Sequence, residues 1–211
     1  MPHCAAVGNH FFDETFACPY KSPPVVKLLL FLFLAGAALI PARASEFVTV
    51  EEVAGRLAVA KGGPGPVNVL VFLSHDCPVS NALMPELNRI VRHYRPLGVA
   101  FYFVYAEDDL SETDAAKHAR EFGLTAAATV DRAGVLVAKA GATVTPEAAV
   151  FSRSGEVAYR GRINDLFAAP GQKRAEPTRH DLRVALDALL AGKAPPNTTT
   201  PAIGCFIPGK R

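Results

Sequence analysis

Cys77 is the residue in this chain best placed to do chemistry. It closes the segment Val67-Asn68-Val69-Leu70-Val71-Phe72-Leu73-Ser74-His75-Asp76-Cys77 and is followed by Pro78-Val79-Ser80 and a helix-like stretch. An apolar, β-branched run thus ends in a short polar turn, and the thiol falls where a buried strand hands over to the first turn of a helix. The N–H groups of a helix start lack intrahelical partners and carry partial positive charge, which favours a thiolate over a thiol. A thiolate is the reactive form of cysteine, so the position reads as a site of thiol chemistry. The adjacent Asp76 carboxylate works against the helix terminus by disfavouring a second negative charge. The bland alternatives are a buried, inert cysteine and one half of a structural disulfide.

The elements that must position Cys77 follow from the apolar pattern. Val67–Leu73 is a near-continuous apolar run, as expected of a strand covered on both faces. Asn81 to Tyr94 carries Leu83, Leu87, Ile90 and Val91 at helical spacing, with Pro85 inside it to kink the helix and Gly98 beyond it. Val99 to Tyr105 reads as a second buried strand. Ser111 caps a helix that runs to Phe122 and stops at Gly123. Ala126 to Val130 is a short strand and Val135 to Ala140 a short helix. Ala148 to Ser152 and Glu156 to Arg162 alternate as strands around the tight turn Arg153-Ser154-Gly155. Asp165 to Pro177 reads as an irregular loop. Thr178 to Asp181 caps a last helix that ends at Leu190 before Gly192. The Pro- and Thr-rich tail from Ala194 carries no pattern of regular structure. Before the first strand, Phe47 to Val59 reads as a lead-in strand and short helix, and Lys61 to Pro66 as a loop. Three strands alternating with helices, then a hairpin and a final helix, predict an α/β layered fold whose parallel strands are closed by an antiparallel hairpin.

Composition limits the partners. The chain has 211 residues, 22 Lys+Arg against 20 Asp+Glu, and no basic stripe or acidic tail, so nothing points to nucleic acid. Lys27 precedes the apolar run Leu28 to Ile40, and Pro41-Ala42-Arg43-Ala44 supplies a small-x-small cleavage pattern before Ser45. The run is short of the ~18–20 residues that cross a bilayer. The expectation is a cleaved secretory signal within residues 1–44, with membrane attachment only through an uncleaved signal segment, and a periplasmic or extracellular protein. The stretch before Lys27, with Cys4 and Cys18, fits no part of a signal, and translation is expected to start near Val25 or Val26. The remaining chain divides into residues 45–192, one domain, and a tail at 193–211. It keeps two cysteines, Cys77 and Cys205, which form a disulfide or act as partners in a redox cycle.

Phe72 to Pro85 resembles the active-site segment of thioredoxin-fold proteins, most closely the redoxin branch, the alkyl hydroperoxide reductase/thiol-specific antioxidant family. Cys77 lies at the strand-to-helix junction. Pro85 stands where thioredoxins have the proline of the active-site helix, and Thr145-Pro146 resembles the cis-proline loop that faces the nucleophile. Tyr159-Arg160-Gly161-Arg162-Ile163 is similar to the closing hairpin of exported redoxins. The resemblance covers about Val48 to Leu190. It implies a thioredoxin-like mixed sheet flanked by helices and a thiol-disulfide oxidoreductase in which Cys77 attacks a disulfide. Two departures stand out. Ser80 occupies the second cysteine of Cys-x-x-Cys, and Leu70 the proline of the peroxidase motif, of which only Ser74 is kept.

The resemblance also implies roles for other residues. Ser80 either donates its hydroxyl to the Cys77 thiolate or simply caps or faces solvent; it cannot resolve a mixed disulfide, which needs a second thiolate. Cys205 is then the resolving thiol, half of a static bridge that blocks Cys77, or an intermolecular partner. Gly204 lets the backbone beside it approach another element. Pro78, Thr145 and Pro146 shape a groove in which backbone groups pair with an extended substrate strand. Ser74 with Arg160 or Arg162 would polarise a peroxide in a peroxidase, although arginines on a hairpin more often pair with carboxylates such as Asp165. Asn81 stands in place of the second cysteine of copper-carrying relatives, so the scattered histidines, His75 among them, predict no metal site. No cofactor is expected. The partners implied are a protein or small-molecule disulfide, or a hydroperoxide, and a thiol reductant.

Overall fold

The computed structural model describes residues 46–59 and 65–207. The expected signal segment and Cys4 and Cys18 lie outside the described residues, as does most of the loop before the first strand. Strand β1 (Val67–Leu73) is central and wholly buried. It pairs in parallel with β2 (Val99–Tyr105), which pairs in parallel with β3 (Ala127–Val130). On its other side β1 pairs antiparallel with β5 (Glu147–Phe151), and β5 with β6 (Val157–Gly161). The sheet order is therefore β3-β2-β1-β5-β6.

Alternation along β1 sends its side chains to two cores. Val69, Val71 and Leu73 face α2 (Pro78–Tyr94), α3 (Glu112–Glu121) and α5 (Asp181–Leu190) through Leu83, Leu87, Ile90, Ala115 and Leu186. Leu70 and Phe72 face α1 (Val50–Val59) and α4 (Val135–Ala140) through Val53, Leu57, Leu136 and Val137. Covering both faces explains why β1 reads as an unbroken apolar run rather than an alternating one. This is the thioredoxin-like mixed α/β sheet that the sequence implied, and no helix among the described residues is long and apolar enough to cross a membrane.

Several local readings hold with small shifts. Ser111 caps α3 by accepting from Asp114 N–H. Helix α2 starts at Pro78, whose missing N–H suits a first helical position, and runs through Pro85 to Tyr94 before a 3-10 turn that Gly98 ends at φ 84°. Other readings need correction. The segment read as an irregular loop holds a small hairpin, β7 (Phe167–Ala169) against β8 (Gln172–Lys173). Within Thr178–Asp181, read as the cap of the last helix, His180 is the N-cap and makes no side-chain bond, and Thr178 takes no part in the cap. Thr178 instead binds Asp165 through both Oγ1 (2.6 Å) and N–H (2.7 Å).

The tail is the largest difference. It lies along the outer edge of β6, with Arg160 N–H donating to Thr198 O (2.9 Å) and Thr200 N–H to Arg160 O (3.1 Å). The Thr200 hydroxyl is bound by Tyr159 OH (2.7 Å) and Arg162 N–H (3.2 Å). Gly161, at φ 152°, leaves space that a Cβ would take from Thr200. The chain then crosses to pair β9 (Cys205–Phe206) antiparallel with β4 (Val144–Thr145). At the opposite edge, Phe47 bridges β3 at Ala128, flanked by Val48 N–H to Ala128 O and Ala128 N–H to Glu46 O, both 2.9 Å.

Candidate active site

Cys77 is the N-cap residue of α2, with extended backbone (φ −79°, ψ 113°), and is 1 % exposed. The turn before it is fixed from β2. Glu107, just past the end of that strand, accepts from Ser74 Oγ (3.0 Å), His75 N–H (3.0 Å) and His75 Nδ1 (2.7 Å). Asn81, one turn into α2, donates to His75 O (3.0 Å), which orients its amide so that Oδ1 accepts from His118 Nε2 at 2.9 Å. His118 Nδ1 is then the acceptor for Tyr105 OH (2.8 Å), an assignment that follows from the network. It requires a neutral ring, and burial, with repulsion from His75, holds the His118 pKa below the ordinary value.

Across from Cys77 the Thr145-Pro146 peptide is cis. The Cys77 thiol donates to Thr145 O at 3.2 Å. Thr145 is also the residue that β9 pairs with, opposite Cys205 in the register, and its hydroxyl donates to Cys205 O at 3.4 Å. Gly204 makes this approach possible, because a Cβ there would fall on the Thr145 carbonyl. The result is a contact between two sulfurs 128 residues apart in sequence: Cys205 Sγ donates to Cys77 Sγ at 2.7 Å. Both cysteines are present as free thiols.

The two thiols differ in acidity. Burial pushes Cys77 up, but hydrogen bonding from Cys205 and from the Ser80 N–H and hydroxyl outweighs it and holds the pKa below the ordinary value. The opposing influence is burial rather than the expected Asp76, whose carboxylate turns to His75 Nε2 at 3.1 Å. Ser80 does not face solvent. It is fully buried and its Oγ has no partner while Cys77 is a thiol, so the hydroxyl is free to donate once a thiolate forms. Cys205 is pushed up to about 11 by burial, by the Cys77 sulfur and by the Glu107 carboxylate. Where both thiols compete for one charge, Cys77 takes it.

The structure thus brings together Cys77, Pro78, Ser80, Thr145, Pro146 and Cys205. The remaining candidates are committed elsewhere. Ser74 borders the cleft beside Cys205, but its hydroxyl is taken up by Glu107. Arg160 Nη1 donates to Gly141 O at 2.6 Å and its Nε lies 3.6 Å from Glu147. Arg162 pairs with Asp181 at 2.7 Å, not with Asp165, which faces Arg174 at 3.7 Å. Sequence reasoning missed Glu107, His118 and Tyr105 and gave Asn81 no role of its own. Glu107 carried a usable signal, since it follows the carboxyl end of a parallel strand, where open α/β sheets gather functional groups. Tyr105 and His118 carried none that separates them from ordinary core residues.

No family model matches the chain, and no curated protein does. Solved structures do. An uncharacterized conserved protein from Geobacillus kaustophilus is 29 % identical, with 67 % of this chain and 76 % of that one covered at a TM-score of 0.59. A hypothetical protein from Sinorhizobium meliloti 1021 is 24 % identical, with 74 % and 82 % covered at 0.62. These likenesses support the fold. A secreted Mycobacterium tuberculosis disulfide oxidoreductase also matches, at 20 % identity over 44 % of this chain and 66 % of that one, but its TM-score of 0.39 carries no argument.

Proposed function

We propose that this protein is a thiol-disulfide oxidoreductase that cycles between the Cys77/Cys205 dithiol and the Cys77–Cys205 disulfide. The observation that carries the reading is the 2.7 Å approach of the two sulfurs beside the cis-proline carbonyl. Ser80 stands where a Cys-x-x-Cys protein has its second thiol, and Cys205 supplies that thiol from the tail.

The chemistry needs no cofactor. A thiolate attacks a disulfide sulfur, a mixed disulfide forms, and a second thiolate displaces the partner. Cys77, the more acidic of the pair, is the thiolate whose attack closes the Cys77–Cys205 bond. The substrates are disulfides of proteins or small molecules, and a thiol reductant restores the dithiol. An oxidising compartment suits this chemistry, and the signal pattern of residues 1–44 favours an exported protein. A peroxidase would need Ser74 and an arginine for the peroxide oxygens, and each of these is bound elsewhere.

The test is disulfide exchange by the full mature chain. Insulin reduction driven by dithiothreitol is expected to fall at least about a hundredfold in both Cys77→Ser and Cys205→Ser. A Cys77–Cys205 bridge that resists dithiothreitol under native conditions, with no turnover, would instead mark a static disulfide and a non-catalytic binding module.

A further inference from the structure

Two sulfurs in one redox pair need not be equally open to a partner. Cys77 is 1 % exposed beneath β9, with its sulfur against Thr145 O and Cys205. Cys205 is exposed, and the next residue, Phe206, is 75 % exposed. Cys205 also opens onto a cavity of about 490 Å3 whose wall includes Ser74, Thr145 and the consecutive carboxylates of Glu107, Asp108 and Asp109. No Lys, Arg or His is among the residues lining it.

We propose that partners exchange with this protein at the sulfur of Cys205 rather than that of Cys77, and that the acidic cleft beside it favours thiols with a positively charged flank. The proposal rests on the dithiol–disulfide cycle above and assigns its point of entry. An external thiolate RS⁻ attacks Cys205 Sγ of the Cys77–Cys205 disulfide. The intramolecular S–S bond breaks, an RS–Cys205 bond forms, and Cys77 leaves as a thiolate. A second RS⁻ attacks the R-side sulfur, RSSR departs, and the Cys205 thiolate takes up a proton. Two thiols lose two electrons and the protein disulfide gains them. In the reverse path, reduction of a partner disulfide, the Cys205 thiol loses its proton and attacks RSSR, RS⁻ leaves, and the Cys77 thiolate attacks Cys205 Sγ of the same mixed disulfide to release the second RS⁻.

Access and leaving-group chemistry agree on this direction. Exchange breaks more readily toward the more acidic thiol. That thiol is Cys77, which the N–H and hydroxyl of Ser80 stabilise, whereas Cys205 sits in the field of Glu107. The same field attracts a cation and repels an anion, and it weakens with salt.

The oxidised full chain is treated with cysteamine, which is cationic, or with 2-mercaptoethanesulfonate, which is anionic. Reactions are quenched with N-ethylmaleimide and mapped by peptide mass, and rates are corrected for thiolate fraction. The expected result is the adduct on Cys205 with maleimide on Cys77. Cysteamine is expected to be at least about threefold faster at low salt, with the ratio closing toward one at high salt and in Asp108→Asn/Asp109→Asn. An adduct on Cys77, or a sulfonate as fast as the amine, would overturn the proposal while leaving the redox cycle intact. A disulfide that neither thiol reduces would overturn the cycle itself.

Discussion

At the scale of single residues, charge is placed where hydrogen bonds can hold it. Asp165 shows this away from the thiols. Its carboxylate accepts from Thr178 Oγ1, Thr178 N–H and Arg179 N–H, at 2.6–2.8 Å, and faces Arg174. These bonds, opposed by desolvation, hold its pKa far below the usual carboxylate range. A depressed folded pKa contributes stability that is fully present above the unfolded value, about 4, and that is lost as pH falls through the folded one. Asp165→Asn should therefore cost about 2–3 kcal/mol at pH 7, and the deficit should shrink as pH drops below about 4. Urea midpoints at pH 7 and pH 2.5 check this; an equal deficit at both would show that the charge is not the source. Asp165 was legible in the sequence only as a loop carboxylate for an arginine, because its partners Arg174, Thr178 and Arg179 reach it only once the intervening hairpin has formed. Cys77 was legible for the opposite reason: the strand, turn and helix start that mark its junction, Val67 to Ser80, are contiguous with it, whereas Glu107, which fixes the turn from β2, is not and was missed.

At the scale of elements, strands and helices with strong local patterns were readable and the tail was not. Strand β1 announced itself by its apolar run and α2 by the spacing of Leu83, Leu87, Ile90 and Val91. Nothing local in Ala194 to Ile207 encodes a strand. Its structure is imposed by what it docks on, through Thr198 and Thr200 on β6 and Gly204 against Thr145. Sequence could mark Gly204 as permissive but not name the backbone that needed the space. Gly204→Ala should force β9 away from β4, since the Cβ would meet main chain that cannot swing aside. If the loosened tail opens about 1.4 kcal/mol more readily, iodoacetamide should label Cys77 roughly tenfold faster. Far-UV circular dichroism should stay unchanged. Labelling at the wild-type rate would show that the tail does not shield the thiol.

At the scale of the molecule, one covalent bond between Cys77 and Cys205 would close a loop of 128 residues. In the chain-entropy account, a loop of that length destabilises the unfolded chain by roughly 4–5 kcal/mol. The oxidised protein should then melt roughly 10 °C above the reduced one, as differential scanning calorimetry with and without a phosphine reductant will measure. Equal midpoints would count against a bridge between these residues. The two ends of the described chain do a quieter service. The residues around Phe47 occupy the hydrogen-bonding rim of β3, and Thr198 to Thr200 occupy that of β6. At Ala128 and Arg160 the outward N–H and C=O of the two outer strands are therefore already paired within the chain, which shortens the bare margin each strand offers to a neighbouring molecule.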